Sequence, residues 1–452
     1  MELNQSSIET QDQLQLFRSA LESGTFEKVR QMLRGMSAGE IATLIESSPP
    51  RERNLLWQLV PNEDEGEVLQ FLNEEIAADF LRHKNAEEIA NAFEGFESDD
   101  IADILQELPD NVMRRVLESL DDQNRHRIEA ILSYSEDTAG GLMSTDIITI
   151  RPDISLDVVL RYLRRHESLP EATDKLHVVN RSGQLVGLLP ITHLLIKDPG
   201  ISVREAMITD ADAILADTPA REVALTFERE DLVTAPVVDD NGILLGRITI
   251  DDVVDVIREE ADHSLMGMAG LDDYEDTFAP VWKTTRRRAV WLGINLLTAF
   301  LASGVIGLFE GTLEKVVALA VLMPIVASMG GIAGNQTLTL VIRGMALGHV
   351  GSANSRWLLT KEISVGFLNG IMWSVVVGVV ASFWFDDLLL GGVLAAAMII
   401  NLIIAALAGA SLPMLLEKVG IDPALSGGVI LTTVTDVVGF CSFLGLATLL
   451  YT

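Results

Sequence analysis

The chain is 452 residues long, room for about three domains at roughly 150 residues each. Its formal net charge is −32 although 48% of its residues are hydrophobic, and from Thr284 onward eight Lys and Arg balance eight Asp and Glu, so the whole excess of acid lies earlier. The acidic part should repel nucleic acid and attract cations, and the single cysteine, Cys441, excludes an intrachain disulfide or a zinc–thiolate cluster.

Residues 1–132 read as an acidic α-helical domain, periodic over 11–130 with short loops. The opening MELNQSSIETQDQL lacks a basic run and an apolar run, so no secretory signal is expected. The segment Glu97-Ser98-Asp99-Asp100-Ile101-Ala102-Asp103 sets Asp99 and Asp103 at i, i+4 on one helix face. Like charges repel at that spacing, and a bound divalent cation would relieve them; a solvated acidic face is the plainer alternative.

Residues 133–262 hold an internal repeat, clearest over 137–262. HVVNRSGQLVGLLPITHLL from His177 matches PVVDDNGILLGRITIDDVV from Pro236, with Gly183 over Gly242 and Gly187 over Gly246. Each copy predicts a strand, a polar glycine turn, a second strand and the start of a helix. Helical segments precede each hairpin, after Leu142-Met143 and Ala206-Met207. The pattern resembles a pair of CBS domains, α/β modules that commonly sense nucleotides or cations and point to regulation rather than activity.

Residues 251–283 read as an acidic connecting helix and linker. Asp251, Asp255, Glu259 and Asp262 recur at i, i+4, i+8 and i+11, with Asp252 and Glu260 beside them. Val253, Val256 and Ile257 should supply the apolar contacts. A negative stripe leading into a membrane suits a gate lever that metal could neutralise; a solvated connector is the bland alternative. The linker holds DDYEDTF, residues 272–278.

Residues 284–452 predict a transmembrane domain. Five apolar stretches, 286–308, 316–342, 363–385, 388–416 and 427–451, each reach the ~20 residues a bilayer core requires. Arg286, Arg287 and Arg288, then Arg343, Arg356 and Lys361, then Lys418 fall on the side of the soluble domains, which the positive-inside rule makes cytoplasmic. The C-terminus is then outside. An odd number of spans without a second copy implies that a symmetric pathway needs a second chain.

Two spans carry unusual chemistry. In the second, Pro324 removes a helix hydrogen bond, and Gly330, Gly331 and Gly334 permit a local break or a close approach, with Asn335 beside them. A break would free carbonyls to face a hydrated cation; a packing face with Asn335 as interhelical glue is the alternative. In the fifth, Asp436 is the one carboxylate expected well inside a span, with Thr432 one turn before it. A lone intramembrane carboxylate costs about 2.5–3.5 kcal/mol, so a cation or a proton should face it. Oxygen ligands without His or Cys suit Mg2+ or Ca2+. No nucleophile–base pair, P-loop or metal-hydrolase motif is evident, so an enzyme is not expected.

Taken together, the acidic helical domain, the Glu136-Asp137-Thr138-Ala139-Gly140-Gly141-Leu142-Met143 junction, the CBS pair, the acidic helix, the Pro…GlyGly…GlyAsnGln span and the last-span Asp resemble the MgtE family of magnesium channels and transporters. The resemblance implies a multidomain membrane protein with an α-helical N-terminal domain, an α/β CBS-domain pair, a connecting (plug) helix and five transmembrane helices. It implies a homodimer in the bilayer of the cytoplasmic (inner) membrane that imports Mg2+ down its gradient, with Asp436 around the hydrated ion. It further implies closure by cytosolic Mg2+ at Asp99, Asp103 and the Asp251, Asp252, Asp255, Glu259, Glu260 and Asp262 stripe, and in some members ATP between the CBS modules. Some relatives carry Asn and Ala two turns and one turn before the pore Asp; Gly428 and Thr432 stand there in this chain. A proton-coupled carrier and a non-transporting membrane sensor are the other function classes left by the residues.

Overall fold

The computed structural model describes residues 15–451 apart from 18, 21–25, 62–63, 83, 94–95, 107, 167, 171, 272–276 and 352. Most of the DDYEDTF linker therefore lies outside the described residues. The chain falls into two compact units, Met1–Arg258 with Asp276–Ala279, and Glu259–Glu275 with Pro280–Thr452.

The first unit begins with short helices: α1 (Glu27–Leu33), α2 (Ala38–Glu46), α3 (Pro50–Trp57), α4 (Glu65–Gln70), α5 (Glu74–Leu81), α6 (Ala86–Ala92), α7 (Ser98–Gln106), α8 (Asp110–Ser119) and α9 (Asp122–Ile131). Local chemistry starts them. Ser37 and Glu40 form a reciprocal capping box, the Ser37 amide donating to Glu40 at 2.7 Å. Asp121 accepts from the amides of Gln123 and Asn124 to open α9. Leu33, Ile41, Leu44, Leu56, Leu69, Leu81, Ile89 and Leu105 fill the interior, each contributing roughly 1.5–3 kcal/mol by burial.

Two three-stranded sheets follow. The first combines β1 (Thr149–Ile150), β2 (Lys175–Val179) and β3 (Leu185–Pro190) with α10 (Leu156–Leu163), α11 (Ile191–Ile196) and α12 (Val203–Ala206). The second combines β4 (Ile214–Leu215), β5 (Thr234–Val238) and β6 (Leu244–Thr249) with α13 (Ala220–Glu230) and the long helix α14 (Ile250–Met268). Their registers repeat: Val178 lies opposite Gly187 and Val237 opposite Gly246, with the same irregularity one residue later. Gly183 and Gly242 take φ of +84° and +75° in the turns, as the turn chemistry predicts. Gly187 and Gly246 have another cause. A Cβ on Gly187 would stand 2.6 Å from the Ile208 carbonyl oxygen, and one on Gly246 2.6 Å from that of Ser144. Each module's hairpin is thus crossed by the segment that opens the other module. One apolar cluster joins the helical domain to the second module through Val223, Phe227, Val237 and Val253, while the first module has its own core around Val178 and Leu189.

Among its described residues the second unit carries five helices long and apolar enough to cross a membrane: α15 (Val281–Gly307), α17 (Ala318–Ala346), α18 (Ser355–Phe385), α19 (Leu388–Val419) and α20 (Pro423–Tyr451), with a short α16 (Glu310–Lys315) between the first two. Hydropathy placed the third span at 363–385, yet its helix starts at Ser355. Charge ends an apolar run, but Arg356, Lys361 and Glu362 are good helix formers and continue the helix. The local break offered for the second span is corrected: α17 runs unbroken through Pro324 and the glycines. Pro324 lies in its second turn, where one missing N–H leaves the rest of the ladder intact.

Gly330 and Gly334 make close contacts between helices. A Cβ on Gly330 would lie 2.2 Å from Asn401 Nδ2, one on Gly334 2.9 Å from Leu431, and one on Gly409 2.6 Å from the Gly334 carbonyl oxygen. α17, α19 and α20 therefore pack backbone to backbone, the small-residue solution that membranes favour. Gly331 meets nothing within 4 Å.

Candidate functional site

Carboxylates gather first where the start of α7 meets the start of α14. Ser98 fixes this corner. Its amide donates to Asp146 Oδ2 at 3.1 Å, its hydroxyl lies 2.9 Å from that of Thr145, and the Thr145 amide donates to it at 2.9 Å. Arg127 of α9 reaches the other Asp146 oxygen at 2.6 Å. Arg247 on β6, 3% exposed, sets Nη2 at 3.1 and 3.2 Å from the two oxygens of Glu97. From the opposite side Asp252 caps α14, accepting from the Thr249 amide at 3.1 Å and its hydroxyl at 2.6 Å.

These bonds press Asp99, Asp100, Asp251 and Asp252 together. Asp99 is 6% exposed, and its Oδ1 is buried without a hydrogen-bond partner. Burial first, then the charges of Asp252, Asp100 and Glu97, push the Asp99 carboxyl well above the usual carboxylate range. Burial raises Asp252 to about 7, with Asp251 and Asp100 adding and the Thr249 bonds opposing. Burial likewise raises Asp100 to about 6, against a 3.0 Å bond from Gln70 Nε2. A corner so arranged holds protons or a cation. Among the described residues no three acidic, His or Cys side chains converge closely enough to hold a metal alone, so water would have to complete the shell, as Mg2+ prefers.

The predicted sensing residues do not all meet here. Asp99 meets Asp252, and Asp251 lies near Asp100 and Asp252, while Asp103 is half-buried one turn further along α7. Asp255, Glu259 and Asp262 are exposed and Glu260 is half-buried; Asp255 lies 3.7 Å from Arg258. Ile257, expected to pack, is 50% exposed, whereas Val253 is buried. Glu97 and Asp100 were missed because a one-face reading of α7 passes over its first turn, and that turn is what meets α14.

In the second unit, Asp436 sits midway along α20, half-buried, and makes no hydrogen bond or ion pair with another described residue. Thr432 is exposed one turn earlier. Its hydroxyl donates to its own backbone, to the carbonyls of Gly428 at 2.9 Å and Val429 at 3.0 Å. The proton is thus spent inward and the oxygen lone pairs remain for a cation or water. Gly428 has open space around it, and Asn335 is exposed rather than glueing helices of this chain. The glue is Asn401, fully buried, whose Nδ2 donates to the Val326 carbonyl at 2.9 Å.

Two further polar sites escaped the sequence. Glu362, 3% exposed, accepts from Lys361 at 2.6 Å and Thr337 at 3.2 Å, so Asp436 is not the sole carboxylate enclosed by the bundle. His263, on the second-unit half of α14, lies 3.1 Å from Asp422, which also caps α20 through the amides of Ala424 and Leu425. Gly267 packs on Ala424, and Thr339 faces Met268 Sδ at 3.5 Å. The end of α14 is therefore seated against the beginning of α20, the helix of Asp436.

Residues 323–446 match a family described as divalent cation transporter (MgtE), residues 36–137 its intracellular N domain, and residues 139–199 and 203–259 the CBS domain. The chain is 35% identical over 331 residues to the magnesium transporter MgtE of Thermus thermophilus, covering 73% of each chain. It is 32% identical over 323 residues to that of Bacillus subtilis, covering 71% of each. Among solved structures, the cytosolic domain of the Mg2+ channel MgtE in complex with ATP aligns over 53% of this chain and 98% of that chain, at 32% identity and a TM-score of 0.49.

Proposed function

We propose, from the premise that this chain belongs to the MgtE family of divalent cation transporters, that it conducts Mg2+ across the cytoplasmic membrane past Asp436 and is closed by Mg2+ at the Asp99–Asp252 corner. The observation that carries the reading is Asp436: an intramembrane carboxylate without a partner among the described residues, next to a threonine whose lone pairs face away from its own helix. Hydrated Mg2+ suits this pair, because one carboxylate and neutral oxygens can hold its water shell without stripping it. Asp436 is half-buried and Thr432 exposed on a single five-helix bundle, which supports a pathway between two copies of the chain. The basic residues beside the soluble domains support a cytoplasmic N-terminal side and an outer C-terminus. A potential negative inside then contributes about 4.6 kcal/mol per 100 mV to entry of a divalent ion.

Regulation follows from charge. Without metal, Asp99, Asp100, Asp251 and Asp252 repel across the corner. Mg2+ with its water offsets that repulsion and holds the helical domain on the second CBS module. The seating of His263 and Gly267 against the first turn of α20 gives α14 a hold on the pore helix. Each bound ion shifts the equilibrium only by its difference in affinity between the two states. The sensing positions Asp103, Asp255, Glu259, Glu260 and Asp262 belong to this proposal as well, in more open surroundings.

ATP fits the open CBS cleft poorly. That cleft, about 370 Å³, is bordered by Asp174, Asp210 and Asp212, and its one basic residue, Lys175, already donates to the Thr234 carbonyl at 2.9 Å and lies 3.5 Å from Asp174. No step of the proposed cycle uses a nucleotide. The test of the reading is Mg2+ uptake into proteoliposomes under a negative internal potential, for the native chain beside Asp436→Ala. Uptake lost in the variant supports it; equal uptake overturns the role of Asp436.

A further inference from the structure

A polar side chain enclosed within a membrane-spanning helix bundle needs a reason, and Asn401 is such a group. It lies near the middle of α19, the most enclosed of the five long helices, and is fully buried. Its Nδ2 donates to the Val326 carbonyl of α17 at 2.9 Å. Its Oδ1 is buried with no hydrogen-bond partner among the described residues. An unmade acceptor is costly, and a leucine, close to asparagine in shape, would fill the space without one. Stability alone therefore does not account for the amide.

Two glycines on two other helices make room for it. A Cβ on Gly330 of α17 would lie 2.2 Å from Asn401 Nδ2. A Cβ on Gly439 of α20 would lie 2.9 Å from the same nitrogen and 3.2 Å from Val326 Cγ1. The amide thus fills a notch walled by α17 and α20, and it bonds one of the walls. Apolar contact alone discriminates poorly between helix rotations in a bilayer, because a lipid tail is as apolar as a leucine. A directional bond seated in two glycine notches fixes both rotation and height.

The α20 wall is close to the carboxylate. Gly439 follows Asp436 by three residues, about 4.5 Å along the helix and roughly 60° round it. Thr435, one turn before Gly439 on the same face, is fully buried, whereas Asp436 is half-buried. Asp436 therefore stands at the border of the enclosed face, and a turn of α20 that lifted Gly439 off the amide would carry Asp436 with it.

We propose that Asn401 is a positioning residue for the ion pathway: its amide sets the rotation of α20 and so the direction in which the Asp436 carboxylate faces. This rests on the reading that Asp436 meets the ion. Asn401 itself touches no ion. A binding group must be held within about 10–20° of its productive geometry, so a loosened α20 weakens the hold on hydrated Mg2+ while the helix stays folded.

The test is initial Mg2+ uptake into proteoliposomes over a range of Mg2+ on the side opposite the soluble domains, so that half-saturation and maximal rate are read separately, with the thermal midpoint beside them. Asn401→Leu should raise the half-saturating Mg2+ about tenfold, the low end for a residue that orients a metal-binding group, with the thermal midpoint native or higher. Gly439→Ala, which crowds the notch from α20, should shift half-saturation in the same direction. Gly445→Ala, on the same helix with nothing within 4 Å, should leave it native. Added to Asp436→Asn, Asn401→Leu should change the residual uptake no further, because the two residues act as one unit. A lower maximal rate at native half-saturation in Asn401→Leu would make the residue structural only and overturn the proposal. Equal shifts in Gly439→Ala and Gly445→Ala would overturn it too, and that pair decides if Asn401→Leu fails to insert. Native uptake by Asp436→Asn would instead overturn the reading of Asp436, and this proposal with it.

Discussion

Two carboxylate settings in this molecule differ in one respect that decides their roles. At the corner of α7 and α14, four aspartates crowd together, and burial and mutual repulsion raise three of them, Asp99, Asp100 and Asp252, toward neutrality. On α20 a single aspartate stands without a partner among the described residues. A crowd changes its protonation and its packing when a cation arrives, which suits sensing. A solitary carboxylate beside spent hydroxyls loses little when an ion leaves, which suits passage. On the proposed reading, the same chemistry, oxygen toward a hard cation, yields a switch where charges are many and a path where they are few.

The comparison breaks first at Asp436. Asp436→Asn should lower Mg2+ flux about 100-fold, the equivalent of losing roughly 3 kcal/mol of ion stabilisation, while leaving the thermal midpoint unchanged or higher. A variant that unfolds instead would make Asp436 a structural residue. At the corner, the carboxyls raised in the folded state bind protons that the separated chain would not. From about pH 4 up through the Asp252 value of about 7 the folded corner therefore loses stability as pH rises. The Mg2+-induced rise in thermal midpoint should accordingly be largest at pH 8 and small near pH 5.5. An equal rise at both would place the metal elsewhere.

Packing gives a smaller effect with a sharp control. Gly330→Ala should cost about 1–3 kcal/mol by overpacking against Asn401, and Gly331→Ala, one residue on and facing open space, less than about 0.5 kcal/mol. Thermal unfolding of both reads the contrast. Loss of flux in a stable Gly331→Ala would locate that residue on the pathway. Smallest of all, Asp255→Asn on the exposed stripe should shift stability by less than about 0.5 kcal/mol without Mg2+. A large shift would mean that the stripe is as tightly engaged as Asp252.

How much of this was legible in the sequence depended on range. The repeat, the hairpin glycines and the five apolar runs are local patterns, and local sterics dictate them: Gly183 and Gly242 could be read as turns without any partner. Asp436 was legible because an acid in an apolar run is conspicuous by itself. Gly330 and Gly334 were ambiguous, because a flexible backbone and a close approach demand the same residue, and only Asn401 and Leu431 from other helices decide between them. Glu362 was hidden by its neighbours, since a charge at the edge of an apolar run reads as exposed until α18 is extended to Ser355. Asp100 and Glu97 needed the long-range meeting of residues about 150 apart in sequence with β6 and α14. Helical periodicity describes a face, and this meeting takes place at a helix end.

The central claim is that the crowded corner governs the solitary site. The direct measurement is Mg2+ flux in proteoliposomes as Mg2+ is raised on the side of the soluble domains, for the native chain beside Asp99→Asn with Asp252→Asn. The account predicts that native flux falls as Mg2+ rises and that the double variant keeps conducting. Equal suppression in both would contradict it.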